Sequence, residues 1–138
     1  MQGVTLTPLK RITNPKGDIL HALKSSETSF SQFGEAYFTS VISGEIKGWK
    51  KHKKMCLNLI VPVGSVTFYI HDENENITKA FTINESHYNR LTIHPGLWVA
   101  FRGNEKDLNL ILNIASIEHD ANEAINQPLD YIHLDAHQ

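Results

Sequence analysis

Cysteine is almost missing from this chain: Cys56 is the only one in 138 residues, so no internal disulfide and no paired-thiol redox chemistry is available. Long apolar runs are missing too. Leu59 to Val63 is far short of the roughly 20 residues that cross a bilayer, and the start MQGVTLTPLK offers no apolar stretch of the secretory-signal kind. Nor is there a charge excess, since 13 Lys+Arg stand against 15 Asp+Glu for a net −2. No global field therefore recruits nucleic acid or an anionic membrane. Repeats, low-complexity tracts and linkers are absent. These absences predict a cytoplasmic protein with neither nucleic acid nor membrane as partner. What is present, 41% hydrophobic and 20% charged residues, is the composition of a chain that folds, and the length predicts a single domain over residues 1–138.

Helical periodicity is weak between Glu35 and Ala115, where short β-rich segments alternate with turn residues. Strands are predicted at Ala36 to Ile42, Glu45 to Lys50, Cys56 to Val61, Ser65 to His71, Ile77 to Ile83, Leu91 to His94, Leu97 to Arg102 and Leu108 to Ala115, with a further β-capable start at Val4 to Leu9. Gly, Asn, Asp and Pro in the intervening turns supply the backbone angles that tight reversals need. Val66, Phe68 and Ile70 alternate with Thr67, Tyr69 and His71, as a strand with one face in a core requires. Leu108, Leu110, Leu112 and Ile114 share one face, which leaves Asn109, Ile111, Asn113 and Ala115 opposite. Eight such strands predict an all-β fold, a double-stranded β-helix or jelly roll with room for a ligand. The tail from Ile117 to Gln138 reads as a loop with at most one helical turn, around Ala121 to Ile125.

The most informative stretch is GEIKGWKKHKKMCLNLIVPVGSVTFYIHD, Gly44 to Asp72. Lys47, Lys50, Lys51, Lys53 and Lys54 fall within eight positions, with Trp49 and His52 among them. Extended backbone would put Lys50, His52 and Lys54 on one face and Lys51 and Lys53 on the other. Such a face suits a phosphate, or negative charge developing on a carbonyl oxygen. The competing reading is a solvated edge strand whose lysines block aggregation. Trp49 speaks against it, because a large apolar ring wants a core or a flat ligand to cover.

The same stretch resembles the dTDP-4-dehydrorhamnose 3,5-epimerase family, the RmlC-like cupins. GEIKGWK is similar to that family's Gly-x-x-Arg-Gly-Leu-His strand, and VPVGSVTFYIHD to its strand, Gly turn and strand ending in Asp. LTIHPGLWVAFRG, at Leu91 to Gly103, resembles its Pro-Gly turn and aromatic-rich strand. NPKGDILHAL, at Asn14 to Leu23, resembles its Asp-x-Arg-Gly segment. The resemblance implies an RmlC-like cupin domain that epimerises or isomerises a nucleotide-linked keto-deoxy-sugar in cell-surface polysaccharide biosynthesis. It also implies that no cofactor is used and that two copies pair into a homodimer by exchanging N-terminal strands.

The departures are as telling. Lys50 stands where the family has its catalytic His, Lys47 replaces the Arg, Lys16 replaces the phosphate-binding Arg, and the family's tyrosine maps near Leu112 or Asn113, where no phenol stands. His52, two residues on, becomes the candidate base for proton abstraction beside a ketone. Lys50 and Lys54 are candidate electrophilic partners, and His119, beside Asp120, is either a further acid/base group or part of an Asp-stabilised turn. Lys16, Lys47 and Arg90 are candidates for phosphate, Trp49 and Trp98 for stacking, and Asn58 and Asn113 for further substrate contacts. No metal is expected, because Lys50, Leu57 and Val99 fall near cupin ligand positions. His133 and His137 are read as a surface pair, His21, His71, His87 and His94 as solvated or locally hydrogen-bonded, and Cys56 as a small buried hydrophobe. The alternative function is a non-catalytic sugar or nucleotide-sugar binding cupin that keeps the cavity without the chemistry.

Overall fold

The structure is a computed structural model that describes residues 1–134. Its strands are β1 (Val4–Pro8), β2 (Arg11–Ile12), β3 (Ile19–Leu20), β4 (Glu35–Ser40), β5 (Ile46–His52), β6 (Leu57–Val63), β7 (Val66–Asp72), β8 (Ile77–Ile83), β9 (Asn89–Ile93), β10 (Trp98–Gly103), β11 (Leu110–Ala115) and β12 (Ala124–Asn126). Five of them form one antiparallel sheet in the order β1-β9-β6-β11-β4, five more form a second in the order β12-β5-β10-β7-β8, and β2 and β3 make a small hairpin. A 3₁₀ turn at Leu129–Tyr131 is the only helical element among the described residues.

The two sheets close on each other through the alternate residues of their facing strands. Leu57, Leu59 and Val61 of β6, Leu91 and Ile93 of β9 and Ile111 of β11 meet Val66, Phe68 and Ile70 of β7 and Val99 of β10 in one buried cluster. This is the double-sheet jelly roll that the period-2 segments predict, and β8 keeps the predicted bounds. β7 departs from the expectation of one covered face, since Thr67, Tyr69 and His71 are buried as well. Cross-strand bonds to β8 cover Thr67 and His71 (Thr67 to Thr82 and His71 to Thr78, both 2.8 Å). Tyr69 lies in a second apolar cluster with Trp49, Trp98 and Ala100, against which Ile125, Ile132 and Leu134 pack.

That second cluster corrects the reading of the tail. Ala121 to Ile125 does not form a helical turn: Ala124–Asn126 adds an edge strand to β5, in register with Lys50 to His52. A strand wins because the alternative leaves the edge amides of β5 unpaired, and because Ile125 gains the tryptophan cluster to pack on. His137 lies outside the described residues.

Pairing between β5 and β10 is interrupted by a bulge, Lys50 facing Val99 and Lys47 facing Phe101. Gly48 makes the bulge possible. Its φ is +152°, and a Cβ there would sit 2.5 Å from the Ala100 Cβ and 2.8 Å from its Cα. The extra residue resets the alternation, so Lys47 returns to the face that Lys50 and His52 occupy.

Candidate active site

Between the sheets, beside the core, lies a cavity of about 340 Å³, within the range of small-molecule pockets. The first sheet contributes Tyr37 and Thr39 from β4, Leu57 and Leu59 from β6, and Ile111 and Asn113 from β11. The second contributes Lys47, Lys50 and His52 from β5, Phe68 from β7, and Val99 and Phe101 from β10, with Asn126 at the end of β12 and Gln127 just after it. Apolar side chains thus form much of the wall, and a short row of polar ones faces the space.

His52 is held by Glu123. Its Nδ1 lies 2.6 Å from Glu123 Oε1, while Glu123 Oε2 accepts the backbone N–H groups of Lys54 at 2.9 Å and Met55 at 2.8 Å. Glu123 is 6% exposed, and burial alone would raise its pKa. The His52 ring and the two backbone donors outweigh that effect and hold the carboxyl below its usual range. An ionised carboxylate can only accept, so Nδ1 carries the hydrogen of this bond and Nε2 is the nitrogen left to serve the cavity that the ring lines. This is the arrangement of a general base with its orienting acid. Two backbone donors clamp the acid, so it cannot swing away from the ring without orphaning them.

The five clustered lysines do not act together. Lys47 Nζ donates to Ser40 O at 2.6 Å and Thr39 Oγ1 at 3.3 Å. Lys50 lines the cavity with no side-chain bond among the described residues, which makes it the cation available there to a ligand. Lys51 points out of the opposite face, onto Glu73 at 2.5 Å and over the Trp98 ring. Lys53 Nζ donates to Asn122 O. Lys54 departs from the predicted face because β5 ends at His52, and its side chain lines a separate cleft with Cys56, His94 and Ser116.

Opposite β5, Tyr37 and Asn113 are register partners on β4 and β11. Asn113 Nδ2 donates to Tyr37 Oη at 3.1 Å. No phenol stands on β11, as the sequence indicates, yet the neighbouring β4 brings that of Tyr37 beside Asn113.

The FdtA family, described as WxcM-like, C-terminal, has a model that matches residues 2–136. The chain belongs to the FdtA family. Among solved structures, the chain is similar to a dTDP sugar isomerase from Desulfovibrio desulfuricans G20. The two share 31% identity over 94% of this chain and 87% of that one, with a TM-score of 0.90. It is also similar to a mutant of the 3,4-ketoisomerase QdtA from Thermoanaerobacterium thermosaccharolyticum in complex with TDP-4-keto-6-deoxyglucose (22% identity, 91% and 88% covered, TM-score 0.78). A third similar structure is the dTDP-4-dehydrorhamnose 3,5-epimerase from Sulfolobus tokodaii (16%, 97% and 82% covered, TM-score 0.84). No curated protein matches the sequence. The jelly roll is thus of the RmlC-like cupin type.

In this FdtA-family chain the structure gathers four of the sequence-predicted site residues into the cavity through their side chains: His52, Lys50, Lys47 and Asn113. Trp49 borders it, but its ring is committed to the outer cluster and its Nε1 donates to Leu129 O at 3.1 Å, so it offers no stacking surface. Trp98 is on that outer face too, its Nε1 donating to Glu73 Oε2 at 2.9 Å. Arg90 and Asn58 lie on the outer face of the first sheet. The fully buried Arg90 guanidinium donates to Glu27 Oε2, Ser29 Oγ, Ala22 O and Asn58 Oδ1. These bonds, with that from Asn58 Nδ2 to Ser29 O, tie Arg90 and Asn58 to the loop before β4, and neither residue lines the cavity. Lys16 is exposed at the tip of the β2-β3 hairpin, and His119 is exposed in the loop after β11; neither lines the cavity. Sequence reasoning missed Tyr37, Thr39, Glu123, Asn126 and Gln127. Glu123 is one of several acids in the stretch from Glu118 to Asp130, and nothing local marks it as the partner of His52.

Proposed function

We propose that this protein is a cofactor-independent epimerase or isomerase that abstracts a proton beside the ketone of a dTDP-linked keto-deoxy-sugar. The observation that carries this reading is the clamped His52–Glu123 pair at the wall of a cavity that also holds Lys50, whose ammonium has no side-chain partner among the described residues. His52 Nε2 takes the proton from the carbon next to the ketone. The C–H electron pair forms the new C=C bond, the carbonyl π pair moves onto oxygen, and the Lys50 ammonium offsets that charge. Returning a proton to the same carbon from the opposite face gives an epimer; returning it to the former carbonyl carbon, while the proton of that first carbon's hydroxyl passes to the former ketone oxygen, relocates the ketone. The likeness to a dTDP sugar isomerase at 31% identity supports the substrate class.

The test is solvent deuterium incorporation into dTDP-4-keto-6-deoxyglucose, followed by NMR. Incorporation that His52→Asn abolishes while dTDP still binds is the expected result. Binding without incorporation in the parent would instead establish the non-catalytic cupin. Lys50→Met keeps the apolar stem, and we expect it to lower the exchange rate more than it weakens dTDP binding. A cytoplasmic place in polysaccharide biosynthesis and a homodimeric state belong to the same reading. The dimer is supported by the outer face of the first sheet, where Phe38 is 63% exposed beside Leu112.

A further inference from the structure

The acid that orients His52 comes from the C-terminal segment, which is laid along the outer edge of β5. Lys53 N donates to Glu123 O at 2.9 Å, Ala124–Asn126 pairs with Lys50 to His52, and Trp49 and Gln127 exchange backbone hydrogen bonds at 3.0 Å. β12 has three residues and stands at the edge of its sheet. Short edge strands belong to the low-stability end of a structure, where opening is local. An opening here carries Glu123 off His52 Nδ1 and away from the Lys54 and Met55 amides.

Trp49 fastens the segment beyond β12. The residue is buried, and its Nε1 donates to the carbonyl of Leu129, the first residue of the 3₁₀ turn, at 3.1 Å. Ile125, Ile132 and Leu134 of the segment pack on the cluster that Trp49 forms with Tyr69 and Trp98, and the Tyr131 ring lies 5.1 Å from that of Trp98. A buried indole N–H needs an acceptor. This one finds it in the segment and not in the sheet. β5 thus carries the base on its inner face and, three residues earlier on its outer face, the fastening of the base's partner.

We propose that Trp49 is a positioning residue: by holding the C-terminal segment on β5 it keeps Glu123 on His52, and it acts on the base through that carboxylate. Its effect on proton abstraction rests on the keto-sugar reading above. The fastening itself is a property of the free protein and can be measured without a substrate.

Amide hydrogen exchange of the substrate-free protein is the first test. Trp49→Phe keeps a ring in the cluster and removes the indole N–H. The segment should then open about five- to tenfold more often, and the Lys54 and Met55 amides should exchange faster by that factor. Ile83→Val, a small deletion in the core on β8 at the opposite edge of the sheet, should leave those two amides at the parent rate. Trp49→Leu removes the ring contacts as well. ¹⁵N NMR should then show His52 as a mixture of tautomers, and deuterium incorporation into saturating dTDP-4-keto-6-deoxyglucose should fall about tenfold or more. Introduced into Glu123→Gln, Trp49→Leu should cost less than about twofold further, because a residue that acts through the carboxylate has nothing left to act on. Lys54 and Met55 amides that ignore Trp49→Phe, or that respond equally to Ile83→Val, overturn the proposal. So does a Trp49→Leu loss that is undiminished in the Glu123→Gln background. Should Trp49→Leu fail to fold, the amides of Trp49→Phe decide. A parent that incorporates no deuterium overturns the keto-sugar reading, and the amide and ring measurements still decide whether Trp49 holds Glu123 on His52.

Discussion

Replacing Glu123 by Gln perturbs one proton position and little else. Glu123 makes three contacts: Oε2 takes two backbone N–H groups, and Oε1 takes the His52 ring. In the glutamine only the amide oxygen can accept, and the two buried backbone donors of Lys54 and Met55 claim it. The NH₂ group must then face His52 Nδ1 and donate to it. The ring is forced into the Nε2–H tautomer, which places a proton where the base needs a lone pair. All three contacts survive, so the stability cost is that of a neutral acceptor in place of an ionised one, about 1 to 2 kcal/mol. The whole advantage of the base is lost, which is worth about 10²- to 10⁴-fold in rate. The assay is deuterium exchange into dTDP-4-keto-6-deoxyglucose, with ¹⁵N NMR of the histidine ring to read the tautomer and a dTDP titration to show an intact cavity. A folded Glu123→Gln variant that exchanges within about threefold of the parent would falsify the argument, as would a parent ring carrying its proton on Nε2. Glu123→Ala is the poorer experiment, because two orphaned backbone donors cost about 2 to 6 kcal/mol and the fold itself is at stake.

Glu27→Gln should destabilise the protein by about 2 to 3 kcal/mol in urea unfolding, since it deprives the fully buried Arg90 of its counter-charge but leaves its bonds to Ser29, Ala22 and Asn58; a shift under about 0.5 kcal/mol would show that Arg90 needs no anion. Stability should fall on acidification below about pH 4.3, the ordinary Glu value. Glu27, chiefly through its bond from Arg90, and Glu123, despite burial, both have lowered pKa values. The unfolded chain therefore binds protons first, and the stabilisation present above pH 4.3 is lost as pH drops through the folded values. Glu27→Gln should flatten that slope, and urea midpoints unchanged from pH 6 to pH 3 would contradict it. Gly48→Ala should cost about 2 kcal/mol or more, because its Cβ meets the Ala100 backbone; a melting temperature equal to the parent's would mean that the β5 bulge is not needed.

Period-2 patterning was enough to place most of the strands. Val66, Phe68 and Ile70 announce an inward face, and the turn residues mark where each strand must stop, because both signals are local and energetically strong. The same period put Lys50 and His52 on one side of β5, and the structure keeps them there. Tertiary structure decided the rest. Glu123 reaches His52 across 71 residues, and Asn113 meets Tyr37 across 76, separations at which no local pattern survives. A single bulge at Gly48 moves Lys47 to the cavity face, and alternation counted along the sequence cannot see it. Arg90 and Trp98 show the other limit. Their strands are covered on both faces, by the loop before β4 and by the C-terminal segment, so a buried arginine or tryptophan reads identically in sequence whether it faces a ligand or its own chain. The sheet edges, the bulge and the covering segments fix which way those side chains point, and each of them exists only once the two sheets have closed.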